Sequence, residues 1–347
     1  MNILITGNMG YVGPAVVPHL RSAYPAAKLI GLDTGFFSHC LTGAKALPER
    51  RLDQQYFMDV RDVGSEVLSG IDSIVHLAAI SNDPMGNAFE EVTTEINYRA
   101  TMTLAERARK AGVRHFVFAS SCSVYGFAEG GPRTEDAEFN PLTAYARSKV
   151  NSERDLRVLA DDRFVVTSLR FATACGMSDR LRLDLVLNDF VANAIAAGKI
   201  MILSDGTPWR PLITVQDMAR AIEWAVTRKP DRGGNFLAVN VGSNEWNYQV
   251  RALAEAVKNV IPRVEISINK DAQPDKRSYQ VSFDLYRKLA PQHQPRLDLN
   301  STVQQLSEGL TAMRFRDENF RQSAFMRLKV LREHLDEGRL NERLRWN

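Results

Sequence analysis

The sequence predicts an α/β fold, a doubly wound parallel sheet with a smaller, mostly C-terminal α/β lobe. Short apolar runs alternate with amphipathic stretches through the first half of the chain, the rhythm of a parallel sheet covered by helices on both faces. The first run leads directly into a glycine-rich turn. Near residue 171 the rhythm breaks up into shorter elements.

Met1-Asn2-Ile3-Leu4-Ile5-Thr6 opens the chain as an apolar, partly β-branched run, and predicts a strand over 2–6. Gly7-Asn8-Met9-Gly10-Tyr11-Val12-Gly13 follows and reads as a tight turn into a helix over 11–22. Pro14 is tolerated there because the first helical turn leaves N–H groups unpaired. Further strands are expected at 28–33, 54–58, 72–77, 114–119 and 164–170, with helices over 88–111 and 142–161. Beyond residue 171 come a helix near 184–197, a short strand over 199–203 and a helix over 215–228. The expected units are a nucleotide-binding domain over 1–171, to which later segments return, an interleaved substrate lobe over 172–316, and a helical tail over 317–347. The tail's Phe320, Phe325, Leu328, Leu331 and Leu335 stand among many charges. They predict a helix packed on the lobe or on another subunit.

A chain of 347 residues builds a substantial core without staples. The three cysteines, Cys40, Cys122 and Cys175, are too far apart to suggest zinc ligation or a dithiol motif. A reduced, cytoplasmic setting is expected, with no signal peptide and no membrane span. The net charge of +3 gives no argument for nucleic acid.

The glycine turn has the strand-before, helix-after context of a dinucleotide site, in which the backbone approaches a pyrophosphate and the helix N-terminus faces it. The run Lys28-Leu29-Ile30-Gly31-Leu32 ends at Asp33, where a carboxylate accepts from ribose hydroxyls and repels a 2′-phosphate. NAD is therefore expected over NADP. Tyr145 and Lys149, in Tyr-Ala-Arg-Ser-Lys, fall one helical turn apart on one face. A lysine charge there favours phenolate, giving a general acid/base that works near neutrality.

Several ordered motifs over roughly residues 1–290 resemble the extended short-chain dehydrogenase/reductase family, in its nucleotide-sugar epimerase and dehydratase branch, and so a Rossmann-type fold. Thr6-Gly7-Asn8-Met9-Gly10-Tyr11-Val12-Gly13 is similar to its glycine turn, Asp59-Val60 to its adenine contact and His76-Leu77-Ala78-Ala79 to its fourth-strand signature. Asn97 falls where the family has a structural asparagine behind the cofactor. Ser120-Ser121-Cys122-Ser123-Val124-Tyr125-Gly126 and Asn140-Pro141-Leu142-Thr143-Ala144 match the segments leading to the tyrosine helix. The resemblance implies Ser121 as the catalytic hydroxyl, Tyr145 as the acid/base, and Lys149 as its perturber and a ribose ligand. It implies cofactor contacts from Gly7, Asn8, Met9, Gly10, Tyr11, Val12, Asp33, Asp59, Val60, Leu77, Ala78, Ala79 and Asn97.

On the substrate side the resemblance implies Ser81, Ser123, Thr173 and Asn188, with Arg210 in Gly206–Asp217 and Arg277 in Asp275-Lys276-Arg277-Ser278-Tyr279. Two guanidiniums from separate segments suit the diphosphate of a nucleotide sugar. The family's 4,6-dehydratases carry an Asp-Glu pair after the catalytic hydroxyl, where this chain has Cys122 and Ser123. That departure demotes dehydration and decarboxylation. Phe171-Ala172 after Arg170 also departs from the family's polar or proline-containing stretch. Cys122 and His76 are expected to pack in the interior. The function expected is an NAD-dependent nucleotide-sugar epimerase acting at C4 through a transient 4-keto sugar, with a net reductase or dehydrogenase and a non-catalytic cofactor-sensing scaffold as rivals. A homodimer is implied through helices of the 88–111 and 142–161 type.

Overall fold

The computed structural model describes residues 1–269 and 277–347. Its central sheet contains β1 (Asn2–Thr6), β2 (Lys28–Asp33), β3 (Gln54–Phe57), β4 (Ser73–His76), β5 (His115–Ser121) and β6 (Val165–Phe171). With β10 (Phe236–Val241) they form seven parallel strands in the order β10-β6-β5-β4-β1-β2-β3. The six expected strands are present, and the seventh returns from the distal half. Strand order reverses between β1 and β4, and ligands bind at the C-terminal strand ends of such a switch point. Thr6 pairs with both Leu32 and His76, so three strands end level where the glycine turn begins.

Helix α1 (Gly13–Ala23) and α8 (Val215–Ala225) pack together on one face of the sheet. On the other face, α2 (Ser65–Leu68) packs with α5 (Thr101–Lys110), and α5 with α6 (Ala144–Leu159). The helix expected over 88–111 is present without interruption from 90 to 110, in three successive pieces with a short helix before them. These are α3 (Asp83–Ala88), α4 (Glu90–Thr94), a π-helical segment (Glu95–Ala100) and α5. The Asn97 carbonyl accepts from Thr101 Oγ1 at 2.8 Å and Ser152 Oγ at 3.2 Å. Hydroxyls thus occupy a carbonyl that a regular ladder would use, and composition alone does not reveal such a local rearrangement.

In the lobe, β7 (Thr173–Cys175), β9 (Trp209–Thr214) and β11 (Asn247–Gln249) form a sheet in the order β11-β9-β7. A parallel pair joins β8 (Lys199–Ile202) to β12 (Glu265–Ile268). Around them pack α7 (Val186–Ala197), α9 (Val250–Val260) and α11 (Leu299–Ala312), while the short α10 (Asp284–Leu289) lies against β10.

The tail corrects an expectation. Phe320 and Phe325 do join the core shared with the lobe, but the chain then crosses back. α12 (Arg327–Asp336) and the residues after it put Leu331, Leu340 and Leu344 into the core of the first domain, with Leu4, Ile30 and Phe36. Trp346 Nε1 donates to the Thr34 carbonyl at 2.6 Å and His334 Nε2 lies 2.9 Å from the Phe36 carbonyl. The apolar stripe has a partner in each core. Among the described residues no helix is long and apolar enough to cross a membrane.

A Cβ added at Gly13 would lie 1.8 Å from the Asn8 carbonyl oxygen, a backbone contact that no rotamer relieves. Gly13→Ala is expected to cost about 3 kcal/mol, read as a lower urea midpoint. A variant with the wild-type midpoint would show that the turn does not pack as described.

Candidate active site

The turn after β1 is built on close backbone approach. Gly7 has φ +73°, and a Cβ there would come within 2.5 Å of the Ala78 nitrogen. Only glycine lets the ends of β1 and β4 meet so closely. Gly10, Tyr11 and Val12 line the cleft beyond it, and no side chain caps the N-terminus of α1 among the described residues. That leaves backbone donors and a positive dipole end facing the cleft. Asp33 Oδ2 accepts from Met9 N at 3.0 Å and Oδ1 from Gly35 N at 2.8 Å. Two backbone bonds leave acceptor capacity on this carboxylate for ribose hydroxyls. Burial pushes its pKa up, partly offset by the two backbone donors. The uncapped helix end and oriented carboxylate fit a dinucleotide.

Not every expected cofactor contact faces the cleft. Asn8 is buried and its Nδ2 donates to Gln55 Oε1 at 2.7 Å, so its side chain serves the scaffold. Met9 contributes its backbone N–H to Asp33 rather than its side chain. Leu77, Ala78, Ala79, Asp59 and Val60 line the cleft, but the Asp59 carboxylate is held by Arg61 at 2.6 Å. Asn97 stands behind the wall. Its Oδ1 accepts from Ile80 N at 2.8 Å and its Nδ2 donates to Ile80 O at 2.9 Å, which fixes the loop after β4.

Helix α6 begins at Thr143, whose Oγ1 accepts from Ala146 N at 3.1 Å and donates to Asp83 Oδ1 at 2.7 Å. It presents Tyr145, Lys149 and Glu153 along one face. Ser121, at the end of β5, lines the cleft beside Tyr145, close enough to pull the pKa of its phenol down. Lys149 Nζ donates to the Ala119 carbonyl at 2.7 Å and sits 5.5 Å from the Tyr145 ring centroid. The expected electrostatics are reversed. Burial pushes Tyr145 up to about 12, with Ser121 pulling the other way. Burial pulls Lys149 down to about 7, with Glu153 opposing. Desolvation outweighs the neighbouring charge because both groups lie in the same dry seam.

Beneath this seam Arg170 Nη2 meets Glu153 Oε2 at 2.7 Å, and Ser120 Oγ donates to Glu153 Oε1 at 2.5 Å. Arg170 Nη1 donates to the Tyr125 hydroxyl at 3.0 Å. Cys122 is fully buried with Sγ on the Arg170 carbonyl at 3.1 Å, and burial raises its pKa. His76 is buried between Thr6 and Thr101 hydroxyls at 2.7 and 2.8 Å and is pulled by burial down to about 3. Both are interior residues.

Ser81, Ser123, Thr173, Arg210 and Arg277 all line the same cleft of about 820 Å³. The Ser123 hydroxyl is buried without a hydrogen-bond partner among the described residues. Arg277 Nη1 donates to Asp83 Oδ2 at 3.0 Å, and Arg210 Nη1 donates to the carbonyls of Trp209, at 2.8 Å, and of Arg277. Asp275 and Lys276 lie outside the described residues. Asn188 is a correction. It is fully buried, with Nδ2 on the Tyr11 hydroxyl at 3.0 Å and Oδ1 on Gly176 N at 3.0 Å, so it braces the cleft wall.

Among the cleft residues not expected are Asn82, Asp83, Arg182 and Asp184. Arg182 Nε bonds Asp184 Oδ1 at 2.8 Å, and its Nη1 donates to Ser81 Oγ at 2.8 Å. Asn82 holds Asp184 Oδ2 at 2.8 Å from a backbone with φ +117°, a region that side chains rarely occupy outside functional sites. The available signal was Leu181-Arg182-Leu183-Asp184-Leu185. Its strict alternation buries the leucines and turns both charges to the other side.

Residues 3–242 match the model described as the NAD dependent epimerase/dehydratase family. A UDP-glucose 4-epimerase of Streptomyces lividans is 31% identical over 74% of this chain and 80% of its own. A dTDP-glucose 4,6-dehydratase of Streptomyces griseus is 27% identical over 73% of this chain and 77% of its own. The solved structure of MoeE5 in complex with UDP-glucuronic acid and NAD superposes with a TM-score of 0.75 at 25% identity, covering 90% of this chain and 99% of that one. The glycine turn, the oriented Asp33 and the extent of these matches agree: the chain belongs to the NAD-dependent epimerase/dehydratase family.

Proposed function

We propose that the protein is an NAD-dependent nucleotide-sugar epimerase acting at C4 through a transient 4-keto sugar. The observation that carries this reading is the Ser121–Tyr145 hydroxyl pair in a cleft with no carboxylate at the two positions after Ser121. NAD, when bound, supplies the acceptor and then the donor of hydride. Tyr145 Oη takes the proton of the sugar hydroxyl as the carbinol is oxidised and returns it afterwards. Ser121 Oγ donates to the oxygen on which charge changes. Lys149 raises the phenolate fraction whenever its ammonium is retained, and Glu153 supports that charge. Arg210 and Arg277 hold the substrate's diphosphate, leaving the sugar to turn over between two faces. Of the cleft's acids, Asp83 and Asp184 are engaged by Arg277 and Arg182, Asp59 by Arg61, Asp189 by Arg321, and Asp33 by two backbone N–H groups. Elimination of water needs an acid and a base of its own, and the partly hidden Ser123 hydroxyl is neither.

The direct test is nuclear magnetic resonance of UDP-galactose or UDP-glucose incubated with the protein. Inversion at C4 with no accumulation of NADH absorbance is expected. A 4-keto-6-deoxy product would replace this reading with a dehydratase, and steady NADH formation with a dehydrogenase. Tyr145→Phe is expected to lose roughly 10²–10⁴-fold in turnover, with the bound NAD content unchanged on mass spectrometry.

Lys149 also makes stability depend on pH. Its folded pKa of about 7 lies below the ordinary 10.5, so the unfolded chain binds more protons between those values. Its cost is therefore fully present below 7 and fades as pH rises toward 10.5. In protein stripped of nucleotide, the melting temperature of wild type relative to Lys149→Met is expected to rise from pH 6.5 to pH 9.5. A constant difference would mean that this lysine is not desolvated.

A further inference from the structure

Beyond the matched region, which ends at residue 242, the tail adds its own wall to the dinucleotide cleft through Arg321, Met326 and Arg327. Arg327 is 1% exposed. Its Nη1 donates to Ala324 O at 2.6 Å and its Nη2 to Arg180 O at 2.9 Å and Leu181 O at 3.2 Å, while the buried Nε has no partner among the described residues. Two other buried arginines lie nearby, and each has a carboxylate: Arg180 meets Glu49 at 2.6 Å and Arg182 meets Asp184 at 2.8 Å. Arg327 pairs with no carboxylate among the described residues. Burial pulls its pKa down to about 10; Cys40 and Asp184 oppose that pull, while the Arg182 and Arg180 guanidiniums add to it. An uncompensated buried cation is costly, so its place on a ligand cleft calls for an anion.

The position indicates which anion. The Arg327 guanidinium lies 5.3 Å over the ring of Phe37, just beyond Asp33, and two of its carbonyl acceptors, Arg180 and Leu181, follow Ser178, whose hydroxyl donates to the Tyr11 carbonyl. This is the side of the cleft formed by Asp33 and the glycine turn. Arg210 and Arg277 come instead from β9 and the segment after β12. We propose that Arg327 is a ligand to the diphosphate of the bound dinucleotide, and that the tail is a strap that retains it across the cleft. Trp346 against Phe36, at 5.8 Å between ring centroids, and the Arg321–Asp189 pair at 2.8 Å fasten the strap at its two ends. The inference rests on the dinucleotide reading of the site and does not depend on which sugar reaction follows.

The test follows exchange of bound NAD for isotopically labelled NAD by mass spectrometry, in the purified holoprotein, with UDP binding measured in parallel by calorimetry. Arg327→Met is expected to speed exchange roughly 10-fold or more, the scale of one charge-assisted hydrogen bond. Arg327→Lys is expected to keep most of the retention, because it keeps the charge. UDP affinity is expected to be unchanged in both. Wild-type exchange in Arg327→Met overturns the proposal, as does equal acceleration in the Met and Lys variants, which would make the role one of packing. A loss confined to UDP would move Arg327 to the substrate's diphosphate and overturns it too. A wild-type protein that neither retains nor binds NAD would instead refute the underlying cofactor reading.

Discussion

One helix face driven out of water sets the character of this site. Tyr145, Lys149 and Glu153 recur along α6, and burying them against the end of β5 obliges every polar atom to find a partner there. Lys149 takes the Ala119 carbonyl and Glu153 takes Arg170 and Ser120, while Tyr145 stands beside Ser121 on the cleft wall. The same burial that orders the groups shifts both titrations against ionisation.

The segment after Ser121 shows how a change of two side chains narrows the chemistry. Cys122 turns into the core and bonds the Arg170 carbonyl, so it contributes packing. Ser123 faces the cleft with a small neutral hydroxyl. Of the acids lining the cleft, Asp83 and Asp184 are each paired with an arginine and fixed by a further bond from Thr143 or Asn82.

The tail ties the two cores together. It enters through Phe320 beside the lobe and ends with Leu344 beneath the first sheet, so the cleft between them is spanned by covalent chain. Hydrophobic burial at both ends holds buried charge in the middle, at Arg327. Three backbone carbonyls and the Phe37 ring share that guanidinium, which has no carboxylate among the described residues.

Much of this was legible in the chain itself. Period-two runs and a glycine turn specify the parallel sheet, because strand propensity and backbone freedom are local properties. The i, i+4 spacing of Tyr145 and Lys149 puts them on one face by helix geometry alone, and the order of motifs set Ser121 beside them. Tertiary structure decided the rest. It turned Asn8 and Asn188 into braces, gave the helix a π-helical stretch at Asn97, returned β10 to the sheet, and brought Arg182, Asp184 and Arg327 to the cleft. It also reversed the sign expected for the Tyr145 shift. Spacing along a helix fixes which groups are neighbours, but the water each one loses depends on what the whole chain packs around it.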